Sequence, residues 1–163
     1  QAAASAFKPL RGSTQKKMAA AAGRSGLRAA GAAVRPVLRS RGRGLVTDVT
    51  SSEQLRELVG AAASAAAPAL VFYTAAWCRP CRDVEVFVKE LDQRLGRRAR
   101  LLRVDVDHCA ELARSESVEA VPYFTIHRSG HLVERLLGCG PDAVAEAIER
   151  QVRLDEEAKE EKK

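Results

Sequence analysis

Leu70-Val71-Phe72-Tyr73-Thr74-Ala75-Ala76-Trp77-Cys78-Arg79-Pro80-Cys81 is the stretch on which the fold turns. Its first five residues are apolar or β-prone at nearly every position, as in a strand buried on both faces. Two cysteines separated by two residues follow. After them Val84, Phe87, Val88, Leu91 and Leu95 recur at helical spacing. Strand, then Cys-x-x-Cys, then helix is the arrangement that dithiol–disulfide exchange requires. The first sulfur falls at a helix N-terminus, where the dipole and free backbone N–H groups stabilise a thiolate. The second lies one turn along and can close a ring onto the first.

Working outward, Leu45 to Val49 alternates like a short strand, and Thr50-Ser51-Ser52-Glu53 matches a capping box with Thr50 as N-cap. Leu55, Leu58 and Val59 continue a helix to about Ala66, and Pro68 stops it. The helix after the cysteines is expected over Cys78–Leu95, with Gly96 as C-cap. Leu101 to Val106 reads as the next strand and Cys109 to Ser115 as a short helix. Tyr123 to His127 and His131 to Leu137 form a hairpin across Arg128-Ser129-Gly130. The loop Gly138-Cys139-Gly140-Pro141-Asp142 leads to a last helix, whose buried stripe is Ala143, Val144, Ala147, Ile148 and Val152. The order βαβαβαββα requires parallel pairing early and antiparallel pairing late, so an α/β fold with a mixed sheet and helices on both faces is expected.

The chain has 163 residues and a net charge of +6, unevenly spread. Of its 27 basic residues, ten lie in residues 1–44, which hold no Asp or Glu; 17 then face all 21 acidic residues in the remainder. The basic character therefore belongs to the first quarter and does not point to a nucleic-acid-binding domain. Rich in Arg, Ala, Gly and Ser and free of acid, residues 1–44 read as an organellar transit peptide, with Met18 opening its cleanest version. Arginine outweighs serine there, which favours the mitochondrial matrix over the plastid stroma. No run approaches the roughly 18 apolar residues of a membrane span; Ala61 to Ala67 is too short and too weakly apolar. Residues 45–153 form the expected domain, and 154–163 a charged, frayed extension of the last helix.

These features together resemble the thioredoxin family over roughly residues 45–153. Trp77-Cys78-Arg79-Pro80-Cys81 is similar to the family's active site, with Arg79 where Gly is commonest. Val104-Asp105-Val106-Asp107 resembles the segment after the family's third strand. Val121-Pro122 falls where the family has a cis-proline, Gly130 at the hairpin turn and Gly138 before the last helix. The resemblance implies a thioredoxin fold and a protein-disulfide reductase. Cys78 would be the nucleophile, partly exposed and helped by Arg79, and Cys81 the resolving thiol. Pro80 would bias the ring's backbone and Trp77 flank the sulfurs. Pro122 would pack against the dithiol and shield it from metals. Trp77, Val121, Pro122, Gly138 and Cys139 would bind an extended target segment. The implied cofactor is none beyond the Cys78–Cys81 disulfide. The implied partners are disulfide-containing proteins and a thioredoxin reductase as electron donor.

The chain departs from the family at three positions. Phe72 stands where a buried acid usually helps take the proton from the resolving cysteine, a role that water or Glu85 would have to fill. Val86 replaces a helix-kinking proline, and Tyr123 a threonine. Arg103 matches a lysine that partners the missing acid, so its own partner is open. Phe72 and the charged tail leave a second reading, a weakly catalytic or non-catalytic interaction subunit of a larger organellar assembly. A disulfide oxidase or isomerase would use the same residues at a higher potential. Cys78 and Cys81 could also be half of a zinc site, with His108, Cys109, His127, His131 and Cys139 in reserve, but these form no second paired knuckle. Cys109 reads as a small buried residue. Cys139 reads either as that or as a thiol beside the dithiol open to glutathionylation.

Overall fold

The computed structural model describes residues 46–162. The transit-peptide region 1–44, and Leu45 at the start of the expected first strand, lie outside the described residues. The elements are β1 (Thr47–Val49), α1 (Ser52–Ser64), β2 (Ala69–Thr74), α2 (Arg79–Leu95), a 3₁₀ turn (Gly96–Arg98), β3 (Arg100–Asp105), α3 (Ala110–Ser115), β4 (Tyr123–Arg128), β5 (His131–Leu137) and α4 (Pro141–Glu160). They build one five-stranded sheet in the order β1-β3-β2-β4-β5. β1 and β2 both run parallel to β3, whereas β4 runs antiparallel to β2 and β5 antiparallel to β4. Among the described residues no helix is long and apolar enough to cross a membrane.

Burial explains the strand order. All six residues of β2 are buried, as a central strand with helices on both faces requires. β5, at the edge of the sheet, alternates half-buried and exposed residues along its whole length, so one of its faces is covered and the other open to solvent. The β4–β5 loop has two residues, Ser129 at φ 52° and Gly130 at φ 83°. Two successive left-handed residues make the turn whose twist matches the flanking strands, and glycine occupies the second without steric penalty.

Local differences from the sequence reading have simple causes. The N-cap of α1 is Ser51, not Thr50: its hydroxyl accepts the Gln54 N–H at 3.1 Å. The Gln54 side-chain oxygen Oε1 in turn accepts from the Thr50 N–H at 2.7 Å. Gln54 therefore takes the place expected of Glu53, because an amide can accept from Thr50 while also donating to the Asp48 carbonyl oxygen. α1 ends at Ser64 because Ala66 turns left-handed at φ 48°. Cys78 and Cys109 are N-caps rather than helical residues. α4 runs unbroken past residue 153 to Glu160, so the charged tail is a continuous helix.

One buried carboxylate went unnoticed in the sequence. Asp92 on α2 is 4% exposed, among Val88, Leu91 and Leu95. Burial raises its pKa, and the Arg100 charge pulls it partly back. The fold thus prefers the protonated acid. No penalty exists below the unfolded-state pKa of about 3.9; stability falls as pH rises from there through the folded value and stays reduced above it. Asp92→Asn is expected to melt a few degrees above the wild type near neutral pH. Thermal scans should show that gain shrinking as pH is lowered toward about 4; a pH-independent difference would exclude the linkage.

Candidate active site

The strand register collects the expected site residues at one end of the sheet. Tyr73, near the end of β2, pairs with Tyr123, the first residue of β4, and Tyr123 pairs with Leu137, the last residue of β5. The segment after β2 (Trp77 and Cys78), the one before β4 (Val121 and Pro122) and the one after β5 (Gly138 and Cys139) therefore emerge side by side. The Val121–Pro122 peptide bond is cis, and both residues are buried. Gly138 sits at φ 63°, where a side chain would be strained. Cys139 is half-buried, its thiol 3.5 Å from the Leu137 carbonyl oxygen.

Cys78 and Cys81 are joined as a disulfide at the N-terminus of α2. The two sulfurs are not equivalent. Cys78 is the N-cap, and its Sγ accepts the Cys81 backbone N–H at 3.3 Å. One of the orphan donors of the helix start is thereby aimed at the Cys78 sulfur. Pro80 falls within the first turn, where its missing N–H removes no helical bond. Cys78 is only 3% exposed, not partly exposed as expected: its sulfur is bonded to that of Cys81, itself 1% exposed, and receives the Cys81 N–H. Trp77 is 45% exposed, a free indole next to the pair. This is a dithiol–disulfide exchange site, and among the described residues no group of three or more His, Cys, Asp or Glu could hold a metal ion.

Phe72 on β2 is fully buried and stacked on Phe124 with ring centroids 5.0 Å apart. The partner left open for Arg103 is a pair of carboxylates. Its guanidinium binds Asp48 on β1 and, at 3.1 Å, Glu85 on α2, which also binds Lys89 at 3.0 Å. The hydrogen bond to Asp48 raises the Arg103 pKa further, with Glu85 and Asp105 adding and burial opposing. These groups rim a groove of about 330 Å³ floored by Phe72, Val46 and Val88. Glu85 is thus engaged with two cations and is not a free base awaiting the Cys81 proton. Asp48 escaped the sequence reading, although its register opposite Arg103 on neighbouring parallel strands was the signal for the pair.

Cys109 is buried, and its thiol donates to the Val49 carbonyl oxygen at 3.4 Å. Burial, then Asp105, raises its pKa, which makes it an inert structural thiol. His127 lies in β4, its ring nitrogen 3.1 Å from the Thr125 hydroxyl, and burial lowers its pKa.

Comparison with known proteins agrees with this geometry. The family model for thioredoxin matches residues 47–150. Thioredoxin H2-1 of Oryza sativa subsp. japonica is 36% identical over 107 residues, 66% of this chain and 77% of that one. Thioredoxin M3, chloroplastic, of the same organism is 32% identical over 91 residues, 55% of this chain and 52% of that one. Among solved structures, oxidized mitochondrial thioredoxin 3 from Saccharomyces cerevisiae superposes with a TM-score of 0.59 at 25% identity, covering 64% of this chain and 94% of that one. The chain belongs to the thioredoxin family. It is a protein-disulfide oxidoreductase whose redox centre is the Cys78–Cys81 pair; such a protein acts on disulfide-containing targets, is recharged by a thioredoxin reductase and needs no bound cofactor.

Proposed function

We infer that this protein is an organellar thioredoxin in which Cys78 attacks and Cys81 resolves. The asymmetry of the disulfide carries the assignment: the Cys78 sulfur caps α2 and receives a helix N–H. A helix N-terminus stabilises negative charge, so Cys78 is the sulfur better kept as thiolate. In the reducing direction the Cys78 thiolate attacks a target disulfide. A bond forms between the Cys78 sulfur and one target sulfur while the other leaves as thiolate. Cys81 then gives up its proton and attacks the Cys78 sulfur. The Cys78–Cys81 bond forms, the mixed disulfide breaks and the second target thiolate leaves. Two electrons have passed to the target, and the reductase restores them. Trp77, Val121, Pro122, Gly138 and Cys139 form the target-binding surface, Trp77 as apolar platform and Val121 through its backbone. Arg79 and Pro80 support the ring, and Pro122 covers the pair. Partial alkylation of the reduced protein near pH 7, read by peptide mass, should modify Cys78 ahead of Cys81; the reverse order would refute the assignment.

Residues 1–44 would deliver the domain (45–153, with the helical tail 154–163) to the mitochondrial matrix. Their arginine-rich, acid-free composition supports this reading. Import of the full chain into isolated mitochondria and into chloroplasts, followed by N-terminal sequencing, tests it. Matrix protection with cleavage near residue 44 is expected. Uptake only by chloroplasts would move the site of action to the stroma, and an uncleaved product would remove the transit peptide. Docking of the charged tail in a larger organellar assembly would appear as co-migration of the matured protein with a high-mass complex.

A further inference from the structure

The turn that carries the dithiol also holds two arginines that form no ion pair among the described residues. Arg79 and Arg82 are the first and fourth residues of α2, three apart and therefore on one helix face, and both are exposed. Cations at a helix N-terminus oppose its dipole, so helix stability does not account for them. The first turn of α2 contains no acidic residue to offset them. Asp83, four residues after Arg79, is exposed but forms no ion pair with it among the described residues. The sequence from Leu45 onward is acidic on balance, 17 basic residues against 21, so this positive spot is set in a negative domain. The exposed indole of Trp77 adjoins it on one side of the sulfurs, and Leu137, 53% exposed next to Gly138, supplies apolar surface at the same end of the sheet.

We propose that Arg79 and Arg82 select target disulfides flanked by acidic side chains. The inference rests on the reductase reading of the dithiol. A target segment seated across Trp77 and Pro122 places the residues beside its cysteine over the first turn of α2. An Asp or Glu there meets two guanidinium groups that no carboxylate of the described residues holds in an ion pair, and a Lys or Arg meets repulsion. Both arginines are solvent-exposed, so each acts modestly and is screened by salt.

The test uses the full chain and three otherwise identical fluorogenic peptide disulfides, with Glu, Gln or Lys on both sides of the cysteine. Wild type and Arg82→Gln are compared by the ratio of kcat/KM for the Glu and Lys peptides. Each peptide's own reactivity cancels between the two proteins. Arg82 lies outside the disulfide ring, so turnover of the Gln peptide reports whether the dithiol still works. The Glu-to-Lys ratio is expected to fall roughly three- to tenfold in Arg82→Gln at low ionic strength. Arg82→Glu should lower it further, and about 0.5 M salt should bring wild type and variants within about twofold. An unchanged ratio, or equal loss on all three peptides, overturns the proposal while leaving the reductase activity intact. Failure to reduce even the Gln peptide would instead overturn the reductase reading on which it stands.

Discussion

Cys78→Ser and Cys81→Ser are each expected to reduce insulin with dithiothreitol no faster than dithiothreitol alone, yet to fail in different ways. The difference follows from where the sulfurs sit. Both cysteines are buried, but Cys78 caps α2 and accepts a helix N–H, whereas Cys81 lies within the helix and donates that N–H. With Cys81 replaced, Cys78 still attacks and stops at the mixed disulfide, because no thiol on the same helix can release it. Dithiothreitol at about 1 mM is then the only resolving thiol. Well-oriented intramolecular groups reach effective molarities of ~10⁵ M, so the turnover should fall at least ~10²-fold. Covalent target adducts should accumulate on non-reducing gels. With Cys78 replaced, Cys81 lacks the capping position that stabilises a thiolate, and neither turnover nor adducts are expected. Adducts on the Cys78→Ser protein, or sustained turnover by either variant, would reverse or dissolve the division of labour.

The fold was legible because each element carried its own signal. The unbroken apolar run of β2 announced a central strand, the spacing from Val84 to Leu95 fixed the face of α2, and β5 was placed residue for residue by the hairpin glycine and the following loop. The pairing of the cysteines was equally plain, since two residues between them on a helix start leave few other uses. Side-chain partnerships were much less legible. Asp48, Glu85 and Arg103 are 18 to 55 residues apart in sequence and meet only because β1 and α2 both pack against β3. Asp92 looked like any polar residue on a helix, and its burial depends on what packs over α2 rather than on its neighbours in sequence. The burial of Cys78 was illegible for a related reason: a pattern gives a residue's position along a helix, and what packs around it decides its exposure.

Phe72→Asp should make the protein less stable and its resolving step faster at once. The wild-type ring is fully buried, stacked on Phe124 and set opposite Arg103 on the adjacent strand. Removing it costs about 3–5 kcal/mol through lost burial and the cavity left behind, and a carboxylate placed there adds a desolvation penalty. Arg103 can offset part of that penalty, but only by sharing a guanidinium already bonded to Asp48 and Glu85. Against a typical total of ~5–15 kcal/mol, the variant should melt well below the wild type and still fold in the cold. The new carboxylate would take the position where the family's buried acid serves the resolving cysteine, while Glu85 is already engaged with two cations. A placed proton acceptor is worth roughly 10²–10⁴-fold on a step limited by proton transfer, so mixed-disulfide resolution per folded molecule should accelerate by at least tenfold near pH 6. Its advantage should shrink at alkaline pH, where the Cys81 thiol ionises without help. Phe72→Asn opens a cavity of the same size without a base, which separates the two effects. If the Asn variant resolves as fast as the Asp variant, the gain comes from loosened packing or admitted water. If neither exceeds the wild type, the Cys81 proton already leaves by another route, and Phe72 strengthens the core without slowing the reaction.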